Sequence, residues 1–131
     1  MLTHKDLKVW QKSIDMVVEI YLATSSFPKE ELYGLTSQIR RASVSIPSNI
    51  AEGYGRFSEK ELVRFLFISL GSASEVETQL IICNRLNYLQ ERDFDHLSLL
   101  NNEIIKMLAG LIKSKNNGSI KNPDSEIDSI K

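Results

Sequence analysis

The chain has 131 residues, 42% hydrophobic and 25% charged, with 16 Lys+Arg against 17 Asp+Glu, a formal net charge of -1 and a single Cys. These values fit one globular domain and exclude a collagen-like, compositionally disordered or disulfide-stapled chain. The charged opening Met1-Leu2-Thr3-His4-Lys5-Asp6-Leu7-Lys8 does not read as a secretory signal, and the apolar runs are far shorter than the ~18 residues of a membrane span, so a cytoplasmic protein is expected.

No segment alternates with period two over a useful length, which predicts an all-α fold. The first helix is expected to open at Asp6 as N-cap and to carry Trp10, Ile14, Val17, Val18 and Tyr21 on one apolar face, ending near Ser25-Ser26-Phe27-Pro28. A second helix is predicted from about Lys29 to Glu52, with Glu30 and Glu31 in its first turn and Leu32, Leu35, Ile39, Ala42 and Ile46 at helical spacing. Pro47 falls inside that pattern and removes a backbone donor, so a kink is expected there, with the Ser43 and Ser45 hydroxyls near the freed carbonyls. Gly53 is expected to end the helix in the left-handed conformation.

Ser58-Glu59-Lys60-Glu61 reads as a capping box that starts a third helix running to about Arg85, roughly 40 Å at 1.5 Å per residue. Asn87 lies in the following turn. The fourth helix is predicted from Glu91 or Asp93 to Lys113, with Phe94, Leu97, Leu100, Ile104, Met107, Leu108 and Leu111 on its apolar face. From residue 116 to 131 the composition reads as a disordered tail, leaving residues 1–115 as one antiparallel up-down four-helix bundle. In the third helix, Leu62 to Leu70 is apolar in nearly every direction, and Phe65 to Ile68 sweep most of its circumference. A single layer of four helices leaves each an outer face, so a homo-oligomer covering this helix is expected.

Two groups of polar residues stand out. Gln38, Arg41, Ser45, Asn49 and Glu52 form a stripe at spacings of three and four on the second helix, and Ser72, Glu75 and Gln79 form another on the third. Facing each other, they would pair Arg41 with Glu75 or Glu52. A network that locks helix register is favoured over a catalytic cleft, because nothing in it supplies an activated nucleophile. The basic residues Lys5, Lys8 and Lys12 share one face at the chain's start, and Arg56, Lys60 and Arg64 line the start of the third helix. Repeated around an oligomer, these six are the candidate RNA-binding residues.

Other chemistry finds little support. His4 and His96 are the only histidines, Asp93-x-x-His96 matches acid-x-x-His spacing once and at a helix start, and no metal site is expected. Cys83 reads as a packing residue, Ser43, Ser45 and Ser48 lack a histidine base, and Gly53-Tyr54-Gly55 follows a helix where a phosphate loop follows a strand.

Asp6-Leu7-Lys8-Val9-Trp10-Gln11-Lys12, Phe27-Pro28-Lys29-Glu30-Glu31 with Tyr33-Gly34-Leu35, Ser37 to Ala42, Ser45-Ile46-Pro47-Ser48-Asn49-Ile50-Ala51-Glu52-Gly53-Tyr54-Gly55, and Phe65-Leu66 with Gly71-Ser72 and Glu75 carry a further signal. In this order, from about Asp6 to Leu111, they resemble the four-helix bundle family named after proteins encoded in 23S ribosomal RNA intervening sequences. The resemblance implies an up-down bundle assembled into a homopentameric, barrel-like ring, with no enzymatic activity and no cofactor. It also implies that Arg41, Asn49, Glu52, Gly53, Gly55 and Glu75 are signature positions, read here as a structural polar network. A related branch, the accessory variability proteins of diversity-generating retroelements, has a similar fold and binds nucleic acid and a reverse transcriptase through a strongly basic barrel. This chain departs from that branch in its near-neutral charge. The expected function is therefore a non-enzymatic homo-oligomeric binding module associated with RNA or a ribonucleoprotein, the alternative being a protein-only scaffold ring. Neither involves a membrane or a small-molecule substrate.

Overall fold

The computed structural model describes residues 2–119, with side chains described through residue 116. Four helices make up the described chain: α1 (Lys8–Thr24), α2 (Leu35–Tyr54), α3 (Glu59–Arg85) and α4 (Glu91–Ser119). Single 3-10 turns, His4–Asp6 and Lys29–Glu31, precede α1 and α2, and no strand occurs among the described residues. Each helix packs against its two neighbours in the cycle α1–α2–α3–α4. Cross-helix contacts fix the directions: Lys12 meets Glu103 while Glu19 meets His96, and Ser45 meets Ser72 while Gly53 meets Phe65. Partners that rise on one helix fall on the next, as antiparallel neighbours must. The result is an up-down four-helix bundle.

The first turn differs from expectation. Asp6 is not the N-cap of α1; its carboxylate accepts from the Thr3 amide at 2.8 Å and closes the 3-10 turn, and Leu7 caps α1 without a side-chain bond. The face of α1 in the core is also different. Val9, Ser13, Met16, Ile20 and Thr24 are buried, while Trp10, Ile14 and Val17 are half-buried and Val18 and Tyr21 are exposed. The polar members of the buried line satisfy themselves on their own helix: Ser13 Oγ donates to the Trp10 carbonyl and Thr24 Oγ1 to the Ile20 carbonyl, both at 2.7 Å.

α2 begins at Leu35, six residues later than the sequence pattern suggested, with Gly34 as its N-cap, and Glu31 Oε1 accepts from the Leu35 amide at 3.2 Å. Its other oxygen accepts from the Tyr88 hydroxyl at 2.9 Å, tying the α1–α2 connection to the α3–α4 turn. Helical structure continues through Pro47, which is buried. The Ser43 hydroxyl donates to the Arg40 carbonyl rather than to its own freed carbonyl, and the Ser45 hydroxyl is engaged elsewhere. Gly53 lies inside the helix, not in a left-handed terminal position; no glycine among the described residues has a positive φ. Its missing Cβ instead lets α3 approach, since a methyl group there would meet the Phe65 Cβ at 3.0 Å and the Leu62 Cδ1 at 3.1 Å.

α3 has the expected bounds, but half of the expected capping box is used. Ser58 Oγ accepts from the Glu61 amide at 3.0 Å, and the Glu61 carboxylate turns away to take both Arg64 nitrogens at 3.0 and 3.1 Å. The apolar stretch of α3 is covered mostly by the chain itself. Leu62, Val63, Phe65, Leu66 and Leu70 are buried, with the Arg56 and Arg64 guanidinium groups 4.9 and 4.5 Å above the Phe65 ring; Ile68, at 40% exposure, is the main residue left open. α3 is long and apolar enough in composition to cross a membrane, but half of that stretch is buried in the bundle, as in a core helix.

α3 ends at Arg85 with Leu86 as C-cap, and Asn87 just beyond is the one non-glycine with positive φ among the described residues, at 61°. The Asn87 amide bonds the Asn84 carbonyl and the Tyr88 amide bonds the Cys83 carbonyl, a Schellman closure. α4 then runs to Ser119, past the turn-rich composition expected to start the tail at residue 116, and Asn116 is buried. Residues 120–131 of that expected tail lie outside the described residues.

Candidate functional site

The two polar stripes do face each other. Between α2 and α3 they line a cleft of about 310 Å³ formed by Gln38, Arg41, Ser45, Ser72, Glu75 and Gln79. Its two ends behave differently. At one end the side chains close on each other: Asn49 Nδ2 donates to the Ser45 carbonyl at 2.8 Å and to Ser45 Oγ at 2.9 Å, and Ser72 Oγ donates to Ser45 Oγ at 2.8 Å. Just beneath, Ser69 Oγ donates to the buried Ile46 carbonyl at 2.8 Å. The Ser72–Ser45 and Ser69–Ile46 bonds tie α3 to α2, while the Asn49 bonds stay within α2.

At the other end nothing closes. Arg41 and Glu75 are both exposed and form no ion pair, with each other or with any other described residue, and Glu52 pairs instead with Arg56 at 2.9 Å. The expected Arg41 pairing is therefore absent in the described chain. Gln79 lines the same open half, is 8% exposed, and its Oε1 has no hydrogen-bond donor.

The six candidate RNA-binding residues converge on one end of the bundle, where α1 starts, α2 meets α3 and α4 finishes. Three are already engaged: Lys12 with Glu103 at 3.5 Å, Arg56 with Glu52 at 2.9 Å and Arg64 with Glu61 at 3.0 Å. The Arg64 hydrogen bond holds the Glu61 carboxyl below the usual carboxylate range and the Arg64 guanidinium above its own. Lys5, Lys8 and Lys60 are exposed with no ion pair among the described residues.

Charge is segregated along the axis. Taking the Asn101–Ala73 hydrogen bond as the mid-level, this end adds Lys106, Lys113 and Lys115 to the six and holds five acids, Asp6, Glu52, Glu59, Glu61 and Glu103. The opposite end has nine acids against five bases. Among the described residues, whose charges sum to zero, the basic pole thus carries about +4 and the acidic pole about -4.

An apolar groove of about 260 Å³ opens on the other side of α2, lined by Trp10, Ile14 and Val17 of α1 and Val44, Pro47 and Ala51 of α2. Near the acidic pole, His96 Nε2 lies 2.6 Å from Glu19 Oε1 beside Asp93, and no group of three metal-ligating side chains forms among the described residues. Cys83 is fully buried, and burial first, then the Glu31 charge, push its thiol up to about 11.

The helix order, the polar stripes and the chain between them match one family model, that of the 23S rRNA-intervening sequence protein, over residues 5–110. The chain belongs to the 23S rRNA-intervening sequence protein family. A solved structure of a protein of unknown function from the S23 ribosomal protein family, from Bacteroides thetaiotaomicron VPI-5482, is similar over 80% of this chain and 98% of its own, at 28% identity and a TM-score of 0.74. No curated protein matches the chain.

In this member of the 23S rRNA-intervening sequence protein family, the six residues that the sequence reading grouped as a polar network divide by task. Asn49 bonds back to Ser45 within α2 and orients its hydroxyl; Gly53 admits α3; Gly55 ends α2 with its amide on the Ala51 and Glu52 carbonyls; Glu52 holds Arg56; Arg41 and Glu75 flank the open cleft. Two residues escaped the sequence reading. Arg40, not Arg41, clamps α1 to α2, with Nε donating to Thr24 Oγ1 at 2.9 Å and the guanidinium 4.5 Å above the Tyr21 ring. Asn101 is buried in the core, where its Nδ2 donates to the Ala73 carbonyl at 2.9 Å. A lone Asn within the apolar repeat of α4 was the available signal for it.

Proposed function

We propose that this protein is a non-enzymatic, cytoplasmic bundle that associates with copies of itself into a ring and docks RNA, or RNA within a ribonucleoprotein, on its basic pole. The carrying observation is the axial segregation of charge. In a cyclic assembly all subunits point the same way, so the basic poles add into one rim. Phosphate affinity rises with the number of cations presented, and a rim multiplies a modest patch. The five-fold ring implied by the family resemblance is part of the proposal, as is a bend of α2 at Pro47 that shapes the apolar groove facing a neighbouring subunit.

The protein-only scaffold ring is the second reading. It is favoured by the ion pairs that already occupy Lys12, Arg56 and Arg64. Fluorescence anisotropy of a labelled structured RNA at low and physiological salt separates the two. RNA docking gives binding that weakens steeply with salt and is abolished by reversing Lys5, Lys8 and Lys60 to Glu, with the oligomer mass unchanged. No binding even at low salt leaves the scaffold.

A further inference from the structure

Phe57, between α2 and α3, is the most exposed large apolar side chain among the described residues, its whole surface open to water. The backbone on both sides of it is tied down. The Arg56 amide bonds the Gly53 carbonyl at 3.2 Å, the Gly55 amide bonds the Ala51 and Glu52 carbonyls at 3.2 and 3.1 Å, and Ser58 Oγ accepts from the Glu61 amide at 3.0 Å. The short connection therefore presents the ring in a fixed place. A phenyl ring has no hydroxyl or N–H to bond water, and the fold forgoes the stabilisation that burying it would supply.

The surroundings indicate what covers the ring. Phe57 stands at the basic pole, with Lys60 three residues on and Lys5 and Lys8 at the same end, all without an ion pair among the described residues. Arg56 and Arg64 are held by Glu52 and Glu61 and lie over the Phe65 ring, so neither covers Phe57. Close to the connection, Arg56, Lys60 and Arg64 are balanced by Glu52, Glu59 and Glu61, and phosphate attraction alone does not favour this spot over the rest of the pole. An aromatic platform does, for a partner that carries flat rings on a chain of phosphates. In a duplex the base faces are hidden in the stack, whereas an unpaired base can lay its face on an aromatic side chain. We propose that Phe57 is a stacking platform for an unpaired nucleobase, so that the basic pole takes single-stranded or loop RNA in preference to duplex. The inference rests on the RNA reading and names the class of RNA. Tyr33, also almost fully exposed, lies before α2 at the acidic pole, where phosphates are repelled, and serves as the control.

The test is fluorescence anisotropy of the full chain with a labelled polyuridylate strand and with a labelled blunt duplex RNA of equal length, each over a series of salt concentrations. The single strand is expected to bind more tightly at equal salt. Phe57→Ala should weaken the single strand about 5- to 150-fold, leave the duplex unchanged, and leave the slope of affinity against salt unchanged, because the ring releases no counterions. Phe57→Trp should retain the affinity, and Tyr33→Ala should bind like the parent. Phe57 touches no core residue, so helical circular dichroism and oligomer mass are expected to stay the same in every variant. Parent binding that is lost on reversing Lys5, Lys8 and Lys60 but untouched by Phe57→Ala would overturn the platform and leave the RNA reading standing. Equal losses for strand and duplex, or a loss in Tyr33→Ala as large as in Phe57→Ala, would do the same. A changed oligomer mass in Phe57→Ala would overturn it by assigning the ring to a subunit contact, and a parent that binds neither RNA at low salt would overturn both readings.

Discussion

Gly53 and Phe65 set the distance between α2 and α3. A Cβ on Gly53 would stand 3.0 Å from the Phe65 Cβ and 3.3 Å from the Leu62 carbonyl oxygen, atoms fixed to the α3 backbone that no rotamer change can move aside. Alanine normally gains about 0.5–1 kcal/mol over glycine inside a helix, whereas forcing an extra carbon into a closed contact costs about 1–3 kcal/mol. The clash should win. Gly53→Ala is expected to lower stability by about 1–2 kcal/mol, and Gly71→Ala, at a position with nothing within 4 Å, to raise it by about 0.5–1 kcal/mol. Urea unfolding of the two variants checks both signs, and equal shifts would refute the close-approach account.

Arg40 acts through its shape as well as its charge. Nε bonds Thr24 Oγ1, the terminal nitrogen reaches the Tyr21 carbonyl at 3.4 Å, and the guanidinium plane stacks on the Tyr21 ring. A lysine keeps the charge and loses the fork and the stacking, so Arg40→Lys should cost about 1–2 kcal/mol. The neighbouring Arg41→Lys should stay within about 0.5 kcal/mol of the parent, because no described residue holds its side chain. Thermal unfolding of the pair reads the difference. Similar losses in both would mean that net charge, not the clamp, matters.

Much of this architecture is legible in the residues. Ser58 and Arg85 bound α3 because a hydroxyl cap and the turn beyond are strong local signals, and the facing of the two polar stripes follows from helical spacing once the helices are antiparallel. The core face of α1 was not legible for a physical reason. Two lines run along it one residue apart, Val9-Ser13-Met16-Ile20-Thr24 and Trp10-Ile14-Val17-Tyr21, and periodicity fits both. The line through Trp10 is the more apolar, yet the line through Val9 is in the core, because Ser13 and Thr24 hide their hydroxyls on their own helix's carbonyls. In the cleft, spacing showed which residues would meet but not which would bond. Glu52 lies eleven residues and so about 16 Å along α2 from Arg41, out of reach, and pairs with Arg56 four residues on.

The buried thiol gives a pH dependence with a definite sign. Burial, with the Glu31 charge next, raises Cys83 from 9.0 to about 11. The folded chain therefore holds a proton that the unfolded chain has already released. That contribution is whole below about pH 9 and is lost as pH climbs through the folded value, a decline of about 2–3 kcal/mol by pH 11. Tyr88, raised by its hydrogen bond to Glu31, adds a loss of the same sign at higher pH. Cys83→Ala should be less stable at neutral pH, from the cavity it leaves, but show a shallower alkaline decline. Denaturant midpoints from about pH 8 to pH 11 decide the matter, and parallel declines in the two proteins would rule out the thiol as the source.

In the proposed ring, the apolar surface assigned to a neighbouring subunit is the groove between α1 and α2. Along its 62–70 stretch α3 leaves Ile68 exposed and Phe67 half-buried, whereas Trp10, Ile14, Val17, Val44, Pro47 and Ala51 line a continuous apolar groove beside the exposed Val18 and Tyr21. A lysine placed in that groove would cost little in the isolated chain, because its stem can lie along the groove with its head in water, so Val44→Lys should change monomer stability by less than about 0.5 kcal/mol. In an assembly that seals the groove, the same ammonium would be desolvated without a partner, a penalty of several kcal/mol per subunit. Val44→Lys is therefore expected to reduce the light-scattering mass to that of one chain while leaving the helical circular dichroism unchanged. Ile68→Lys, on α3, should leave the assembly intact. The opposite pattern, with Ile68→Lys dissociating the protein and Val44→Lys inert, would return the interface to α3.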